Sequence, residues 1–190
     1  MIRSSDPLAL LPPGDGTLGH LAIGDLTLVT GVVIPGVTLA VQRWGRIADD
    51  LSNIVLVEHA LTGDSHLVGS VDSLHPTPGW WNGLVGPGLP LDTDRYCVLS
   101  VNVLGGCRGS TGPSSLHPDG HYWGARFPAV SVRDMVEAER VMADLLGVER
   151  WAAVIGGSMG GARTLEWMVS YPDRVRAACV LAVGARASAD

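Results

Sequence analysis

The amino-acid sequence predicts an α/β fold, an open and mostly parallel sheet that carries helices on both faces. Two observations predict it. Apolar runs of strand length alternate with helix-length segments in the second half of the chain, which is the order that parallel sheets with crossover helices produce. In addition, a glycine-rich turn joins one of these apolar runs directly to a helical segment. We expect the 190 residues to belong to one domain.

An antiparallel hairpin at one edge of the sheet is predicted within residues 26–41. The two β-rich runs LTLVTG and VTLAVQRW flank Pro35 and Gly36, and both of these residue types favour turns. We therefore expect the turn of the hairpin at Pro35-Gly36.

Two apolar, β-branched runs at residues 53–58 and 96–101 predict central strands that are covered on both faces. The segment between them, residues 60–94, is rich in glycine, proline and serine. Loops of this length in a compact domain usually carry function or form a small excursion.

A crossover helix is predicted to begin at Ser131. Ser131 and Asp134 have the spacing of a capping box, and Gly147 would end the helix. The apolar face predicted between them consists of Met135, Ala138, Met142 and Leu145. The strand WAAVI, a second helix at residues 161–170 and a last apolar strand at residues 177–183 follow. We expect this last strand to form an unprotected apolar edge.

Composition excludes several classes of function. The formal net charge of −6 is spread along the chain, so we expect no nucleic-acid partner, which would require a basic face. Every basic residue is arginine, which removes mechanisms that use a P-loop lysine or a lysine Schiff base. The three scattered cysteines predict reduced thiols. No leader is recognisable and no run reaches the roughly 18 apolar residues of a membrane span, so we expect a cytoplasmic protein without membrane contact.

The strongest motif is the G-x-S-x-G sequence at residues 156–160, between a predicted strand and a predicted helix. A serine on so sharp a turn is strained by on the order of 1–3 kcal/mol, and the turn closes only if Gly156 and Gly160 lack bulk. Its geometry would lift the Ser158 hydroxyl above the carboxyl ends of the strands, where ligands of open α/β sheets bind. An alternative is that the turn only allows close packing or binds a phosphate, although a dinucleotide-binding loop would follow the first strand.

Two backbone amides are candidates for an oxyanion hole beside Ser158. The Met159 amide lies at a predicted helix N-terminus, and the loop EHALTGDSH after the earlier central strand offers the amide of Leu61. Each such donor contributes roughly 2.7–4 kcal/mol of transition-state stabilisation. Three neighbours of Leu61 would border the acyl group, namely His59, Ala60 and Thr62.

The same loop permits an alternative function, metal binding, because His59, Asp64 and His66 carry suitable ligand atoms. Their spacing matches no common zinc motif, however, and loop histidines more often form hydrogen bonds. We therefore expect no metal and no permanently bound cofactor.

Five segments together resemble the homoserine O-acetyltransferases, which are α/β-hydrolase-type acyltransferases. These segments are AVQRWG, HALTGDSH, HPTPGWW, NVLGGCRGSTGPSS and GGSMGGARTLEW. The resemblance implies an α/β-hydrolase fold and a ping-pong reaction of methionine biosynthesis, in which a serine takes acetyl from acetyl-CoA and passes it to the hydroxyl of L-homoserine. It also implies that Ser158 is the nucleophile, that the Leu61 and Met159 amides form the oxyanion hole, and that the full-length protein is a homodimer.

Other residues of these segments receive no catalytic role. The resemblance places three of them near the top of the sheet, where a tight turn is the alternative explanation: Gly105, Gly106 and Arg108. Trp80 and Trp81 are expected to pack under the long loop. Arg163 is expected to be a structural ion-pair or surface residue rather than a clamp for a carboxylate.

The remaining catalytic groups are expected beyond residue 190. In this fold the nucleophile is followed along the chain by an acid and then by a histidine, yet all six histidines precede Ser158. We therefore interpret residues 1–190 as the N-terminal part of a single α/β-hydrolase core domain that lacks the helical lid, its homoserine-binding arginine and the C-terminal core. Because the loss of triad members costs on the order of 10⁶ in turnover, residues 1–190 alone should be nearly inert.

Three alternative functions stay open. The acyl donor could be succinyl-CoA, or the acceptor serine, because the same turn and amides serve any acyl group. A carboxylic ester hydrolase would use water in place of homoserine. A non-catalytic module of the same fold would bind a small ligand or a protein, although it would have little use for a strained serine.

Overall fold

The computed structural model describes residues 7–186, which form a six-stranded sheet, a two-stranded sheet and two α-helices. The strands are β1 (Gly19–Thr27), β2 (Val33–Trp44), β3 (Ile54–Glu58), β4 (Val85–Gly86), β5 (Leu91–Asp92), β6 (Cys97–Val101), β7 (Ala153–Gly157) and β8 (Ala178–Leu181). The helices are α1 (Val132–Leu145) and α2 (Met159–Ser170). The two shortest strands, β4 and β5, pair only with each other inside the long loop, which is one of the two alternatives expected for this segment.

The main sheet has the strand order β1-β2-β6-β3-β7-β8. The β6, β3, β7 and β8 strands are parallel, whereas β1 and β2 form an antiparallel hairpin at one edge. Every residue of β3 and β6 is buried. The predicted α/β class, the edge hairpin and the two central strands are therefore confirmed.

The predicted position of the hairpin turn is wrong. The chain reverses at residues 28–32, where the Leu28 amide donates to the Val32 carbonyl over 2.8 Å. Pro35 and Gly36 instead lie inside β2 at an irregularity in its pairing with β1. Pro35 is tolerated because β6 pairs only with the last four residues of β2, so the missing N–H interrupts no second ladder.

The ends of α1 are confirmed. Ser131 forms both hydrogen bonds of the capping box with Asp134, and Gly147 takes a positive φ of 73° just after the helix, as a C-terminal glycine does. The predicted buried face is partly wrong, because Ala138 and Met142 are buried but the Leu145 side chain is 42% exposed.

The buried face of α1 instead includes an acidic residue, Glu139, and this explains the difference. Glu139 accepts hydrogen bonds from Arg163 Nη1 (2.7 Å) and Trp167 Nε1 (2.9 Å), both on α2. All three side chains are buried. Apolar periodicity assigns a glutamate to the solvent-facing side of a helix. The face predicted to be buried was therefore turned away from Glu139.

A second carboxyl group, that of Glu58 at the end of β3, lies in the same buried cluster. Its Oε2 is 3.6 Å from Arg163 Nε, and neither of its oxygens forms a hydrogen bond within residues 7–186. Burial, and then the neighbouring Glu139 carboxylate, raise the pKa of Glu58 well above its usual range. Burial therefore favours the neutral acid at Glu58, and Glu139, which accepts the hydrogen bond from Arg163 Nη1, is the partner of the Arg163 charge.

The strand β8 forms the other edge of the main sheet. Among the described residues it pairs with β7 alone, and all four of its residues are exposed. The predicted apolar edge is confirmed, with shorter bounds than residues 177–183. Within residues 7–186, no helix has the length and apolar character needed to cross a bilayer.

We expect two isosteric substitutions to have unequal effects on stability. Glu139→Gln leaves the buried Arg163 charge without its hydrogen-bonded carboxylate and should lower the free energy of unfolding by roughly 3 kcal/mol or more. Glu58→Gln replaces one neutral group by another and should change it by less than about 1 kcal/mol. Urea-induced unfolding measures both values. Equal losses would show that Glu58 also carries a charge in the folded protein.

Candidate active site

The turn between β7 and α2 presents Ser158 to solvent. Ser158 lies between the two elements with φ 55° and ψ −121°, its side chain is exposed, and its amide donates to the Leu181 carbonyl on β8 over 3.0 Å. A positive φ is unusual for a residue with a side chain and costs on the order of 1–3 kcal/mol. The surrounding sheet and helix therefore hold this serine in a strained, outward-facing conformation.

Two glycines, each two residues from Ser158, allow the turn to pack closely against the neighbouring backbone. A Cβ atom on Gly156 would lie 2.3 Å from the Gly160 carbonyl oxygen, and a Cβ atom on Gly160 would lie 2.1 Å from the Glu58 carbonyl oxygen. Both distances are far inside van der Waals contact, so the requirement predicted for these two positions is confirmed. The contact at Gly160 also places the first turn of α2 directly against the end of β3.

We expect Gly160→Ala to lower the free energy of unfolding by roughly 3 kcal/mol or more, because the new methyl group meets rigid backbone. Gly157→Ala is the matched control. Its Cβ atom would find its nearest neighbour at 3.8 Å, so its cost should stay below about 1 kcal/mol. Urea-induced unfolding compares the two variants. A Gly160→Ala protein as stable as the control would contradict the packing described at the turn.

The amides of Leu61 and Met159 both belong to residues that line one cavity of about 390 Å³. Neither amide donates a hydrogen bond to a protein group in the described part of the chain, and the Met159 amide belongs to the first turn of α2, where helical N–H groups have no partner. Val103, Leu104 and Phe127 give the cavity an apolar wall. The cavity thus brings together two residues whose amides have no protein partner, and one of them, Met159, directly follows Ser158.

The predicted neighbours of Leu61 are divided between two cavities. His59 lines the cavity of Leu61 and Met159, whereas Ala60 and Thr62 line a separate cavity of about 190 Å³. The contribution of all three to an acyl pocket stays a prediction.

The ring of His59 is bound on both sides. Its side chain is buried, Nδ1 lies 2.7 Å from the Ala60 carbonyl oxygen, and Nε2 accepts a hydrogen bond of 3.0 Å from the Val103 amide. Burial and the Arg163 charge lower its pKa to about 4. His59 is therefore a neutral imidazole near neutral pH, and neither ring nitrogen is available as a base for Ser158.

The structure does not gather His59, Asp64 and His66 as metal ligands. Within residues 7–186, no group of three or more His, Cys, Asp or Glu side chains is arranged to hold a metal ion. The Asp64 carboxylate instead accepts a hydrogen bond of 2.9 Å from the His66 backbone amide.

The loop after β6 contributes to the site through two glycines. Gly105 and Gly106 line the cavity of Leu61 and Met159, as expected for residues near the top of the sheet. Gly105 has a φ of 84°, so the tight turn that was the alternative explanation is also present. Arg108 lines a different cavity, where its Nε lies 3.9 Å from a carboxylate oxygen of Asp64.

Two further predictions of structural roles are confirmed. Trp80 and Trp81 are partly buried against an apolar cluster, and Trp80 Nε1 donates to the Asp64 carbonyl over 2.9 Å. Arg163 is a buried ion-pair residue, and its Nη2 also donates to the His59 carbonyl over 3.1 Å.

Sequence reasoning missed the buried charges beneath the turn and the ring contacts of His59. One signal was present. Glu139 interrupts an otherwise apolar helical face, and Glu58 ends an apolar strand, so both acids stand where a charge requires a partner. Arg163 was expected to be an ion-pair or surface residue, but nothing in the sequence pattern identified Glu139 as its partner.

Comparison with known proteins defines the class. Residues 53–187 match the family described as the alpha/beta hydrolase fold, and the chain belongs to this family. It is 64% identical over 181 residues to the homoserine O-acetyltransferase of Nocardia farcinica, covering 95% of this chain and 47% of that protein. The homoserine O-acetyltransferase of Mycolicibacterium smegmatis is 59% identical over an alignment of 190 positions, which covers 99% of this chain and 50% of that protein. The chain thus spans about half the length of the curated relatives it matches, and the resemblance seen in the five segments is confirmed.

Solved structures of enzymes with two different activities share the architecture of this chain. The homoserine O-acetyltransferase from Bacillus anthracis matches with a TM-score of 0.78 at 28% identity, covering 85% of this chain and 45% of that chain. Esterase E22 matches with a TM-score of 0.76 at 34% identity, covering 84% of this chain and 45% of that chain. The fold therefore occurs in both acyl-transferring and ester-hydrolysing enzymes.

Proposed function

We propose that this chain is the N-terminal part of a homoserine O-acetyltransferase core domain and that Ser158 carries the acetyl group. One observation carries the proposal. Ser158 is exposed on a strained turn, and the amides of Met159 and Leu61, two residues that line one cavity, have no protein partner within residues 7–186. The relatives that share 58–64% identity with the chain are named homoserine O-acetyltransferase. The strain at Ser158 supports catalysis over simple binding, because a binding module has no need to hold a serine outward.

The proposed reaction has two steps. In the first, Ser158 Oγ attacks the thioester carbonyl of acetyl-CoA, and the negative charge that develops on the carbonyl oxygen is accepted by the Leu61 and Met159 amides. Collapse of the tetrahedral intermediate forms the acetyl ester of Ser158 and releases the CoA thiolate. In the second step, the hydroxyl of L-homoserine attacks this ester and regenerates Ser158. The base that takes and returns the proton is the family's histidine, which we place after residue 190.

The lining of the cavity supports acetyl over succinyl as the transferred group. Its walls are apolar at Val103, Leu104 and Phe127, and the described residues that line it include no arginine. A succinyl group would bring a carboxylate into this space, where the lining offers it the Asn102 side-chain amide but no cation, and burying a charge without a counter-charge is costly. An acetyl methyl group has no such requirement.

Several features of the complete enzyme belong to the same proposal. They are a place in methionine biosynthesis, a cytoplasmic location, a homodimeric assembly, acetyl-CoA and L-homoserine as the substrates, and no permanently bound cofactor. All of them come from the resemblance to the homoserine O-acetyltransferases, and the name of the matched relatives supports homoserine as a substrate.

An ester hydrolase is the second candidate, and the match to esterase E22 favours it. Water and homoserine compete for the same acyl-serine, so the two functions differ in the second step alone. Measuring acetate and O-acetylhomoserine formed from acetyl-CoA, with and without homoserine, separates them. Acetate as the main product at saturating homoserine would favour the hydrolase.

We expect Ser158→Ala to reduce acetyl transfer by the complete protein by about 10⁶-fold, the scale seen when a catalytic serine is removed. Ser170→Ala is the matched control, because Ser170 lies at the far end of α2 and its hydroxyl donates to Glu166. CoA release reports the rate, and intact-protein mass spectrometry reports acetylation. Transfer by Ser158→Ala at the rate of the control would refute the assignment of the nucleophile.

A further inference from the structure

The backbone of the loop that follows β3 is held by the ring of His59. We propose that His59 is a positioning residue that aims the Leu61 amide at the reacting carbonyl oxygen. The inference rests on the proposed role of the Leu61 amide as an oxyanion donor. It does not depend on whether homoserine or water accepts the acyl group.

The contacts of the His59 ring define its tautomer. Nδ1 lies 2.7 Å from the Ala60 carbonyl oxygen, which can only accept a hydrogen bond, so Nδ1 carries the proton. Nε2 faces the Val103 amide at 3.0 Å, which can only donate, so Nε2 carries the lone pair. One neutral tautomer therefore satisfies both contacts, whereas the other tautomer or the imidazolium would break at least one of them.

The Ala60 carbonyl controls the direction of the Leu61 N–H because the two groups belong to one peptide unit. That unit is planar and trans, so its C=O and N–H point in opposite directions. The hydrogen bond from His59 Nδ1, together with one of 2.9 Å from the Gly63 amide, fixes the carbonyl on one side. The Leu61 N–H is consequently turned to the other side and has no protein partner among residues 7–186.

The position of this peptide unit is tied to the nucleophile turn and to the β6 loop. Arg163 Nη2 donates to the His59 carbonyl over 3.1 Å, and Arg163 lies one helical turn after Met159, which supplies the second proposed donor. The Val103 amide connects the His59 ring to the loop after β6, which also lines the cavity. The two oxyanion donors are thus held relative to each other through His59 and Arg163.

The charge on Arg163 also preserves the required state of the ring. Burial and this charge lower the pKa of His59 to about 4, so the imidazole is neutral at the pH where the enzyme would work. This differs from the role of a general base, which needs a pKa near the working pH and contact with the nucleophile.

Two substitutions of similar size separate positioning from packing. The substitution His59→Asn keeps an N–H donor near the place of Nδ1, whereas His59→Leu keeps the volume without a donor. We expect His59→Leu to slow acylation of the complete protein by p-nitrophenyl acetate by about 10²-fold, the cost of losing one oxyanion donor. His59→Asn should recover at least about tenfold of this loss. Rapid release of p-nitrophenolate measures the acylation rate, and urea-induced unfolding measures the stability of each variant.

The thiono ester of the same acyl group, with sulfur in place of the carbonyl oxygen, provides a readout that packing alone would not change. Sulfur is a weak acceptor, so its reaction depends little on the oxyanion donors. We expect the ratio of ester to thiono-ester acylation rates to fall in His59→Leu and to recover in His59→Asn. An equal loss with both substrates, or no recovery with asparagine, would overturn the role of His59 and leave the Ser158 assignment intact.

The tautomer is tested in the unaltered protein by ¹⁵N NMR of the histidine rings. We expect a neutral His59 ring with the proton on Nδ1 at pH 7, and this measurement holds even if a variant fails to fold. A proton on Nε2, or a charged ring at pH 7, would overturn the inference. If Ser158→Ala is still acylated by p-nitrophenyl acetate at the normal rate, the proposed function itself fails, which is a different outcome.

Discussion

The absence of a side chain at Gly160 is the constraint on which the rest of the site depends. A single carbon atom at this position would lie 2.1 Å from the Glu58 carbonyl oxygen, so α2 can start against the end of β3 only with glycine there. This contact places the exposed serine of one strand–helix turn beside the loop that follows the neighbouring strand. Backbone packing thereby links the turn that carries the proposed nucleophile to the loop that carries one of the proposed oxyanion donors.

Beneath this contact lies a layer of buried charge that costs desolvation energy. Arg163 is held by Glu139 and donates to the His59 carbonyl, while Glu58, whose pKa is raised by burial, adds a second carboxyl group to the cluster. Replacing such a cluster with apolar residues is often neutral or stabilising in proteins, so its value here lies in geometry. A guanidinium fixed between two helices gives the loop after β3 a rigid donor that an apolar side chain could not supply.

Local features were predictable because they depend on neighbours in the sequence. The capping box at Ser131, the glycine stop after α1 and the strained turn at Ser158 all follow from residue types at short, fixed spacings. The hairpin turn was misplaced because Pro35 and Gly36 favour turns locally, whereas the pairing of β2 with only part of β6 tolerates them in a strand. The buried face of α1 was partly misplaced for a similar reason, since the partner of Glu139 lies on another helix.

The sequence by itself determined the α/β class, the order of its strands and helices along the chain and the turn that carries Ser158. The tertiary structure alone decided which tautomer His59 adopts, which acid pairs with Arg163 and which neighbours of Leu61 share its cavity. The physical reason is distance along the chain. The contacts that settle these questions join residues 44 positions apart, from His59 to Val103, and 104 positions apart, from His59 to Arg163, and no local pattern records such pairs.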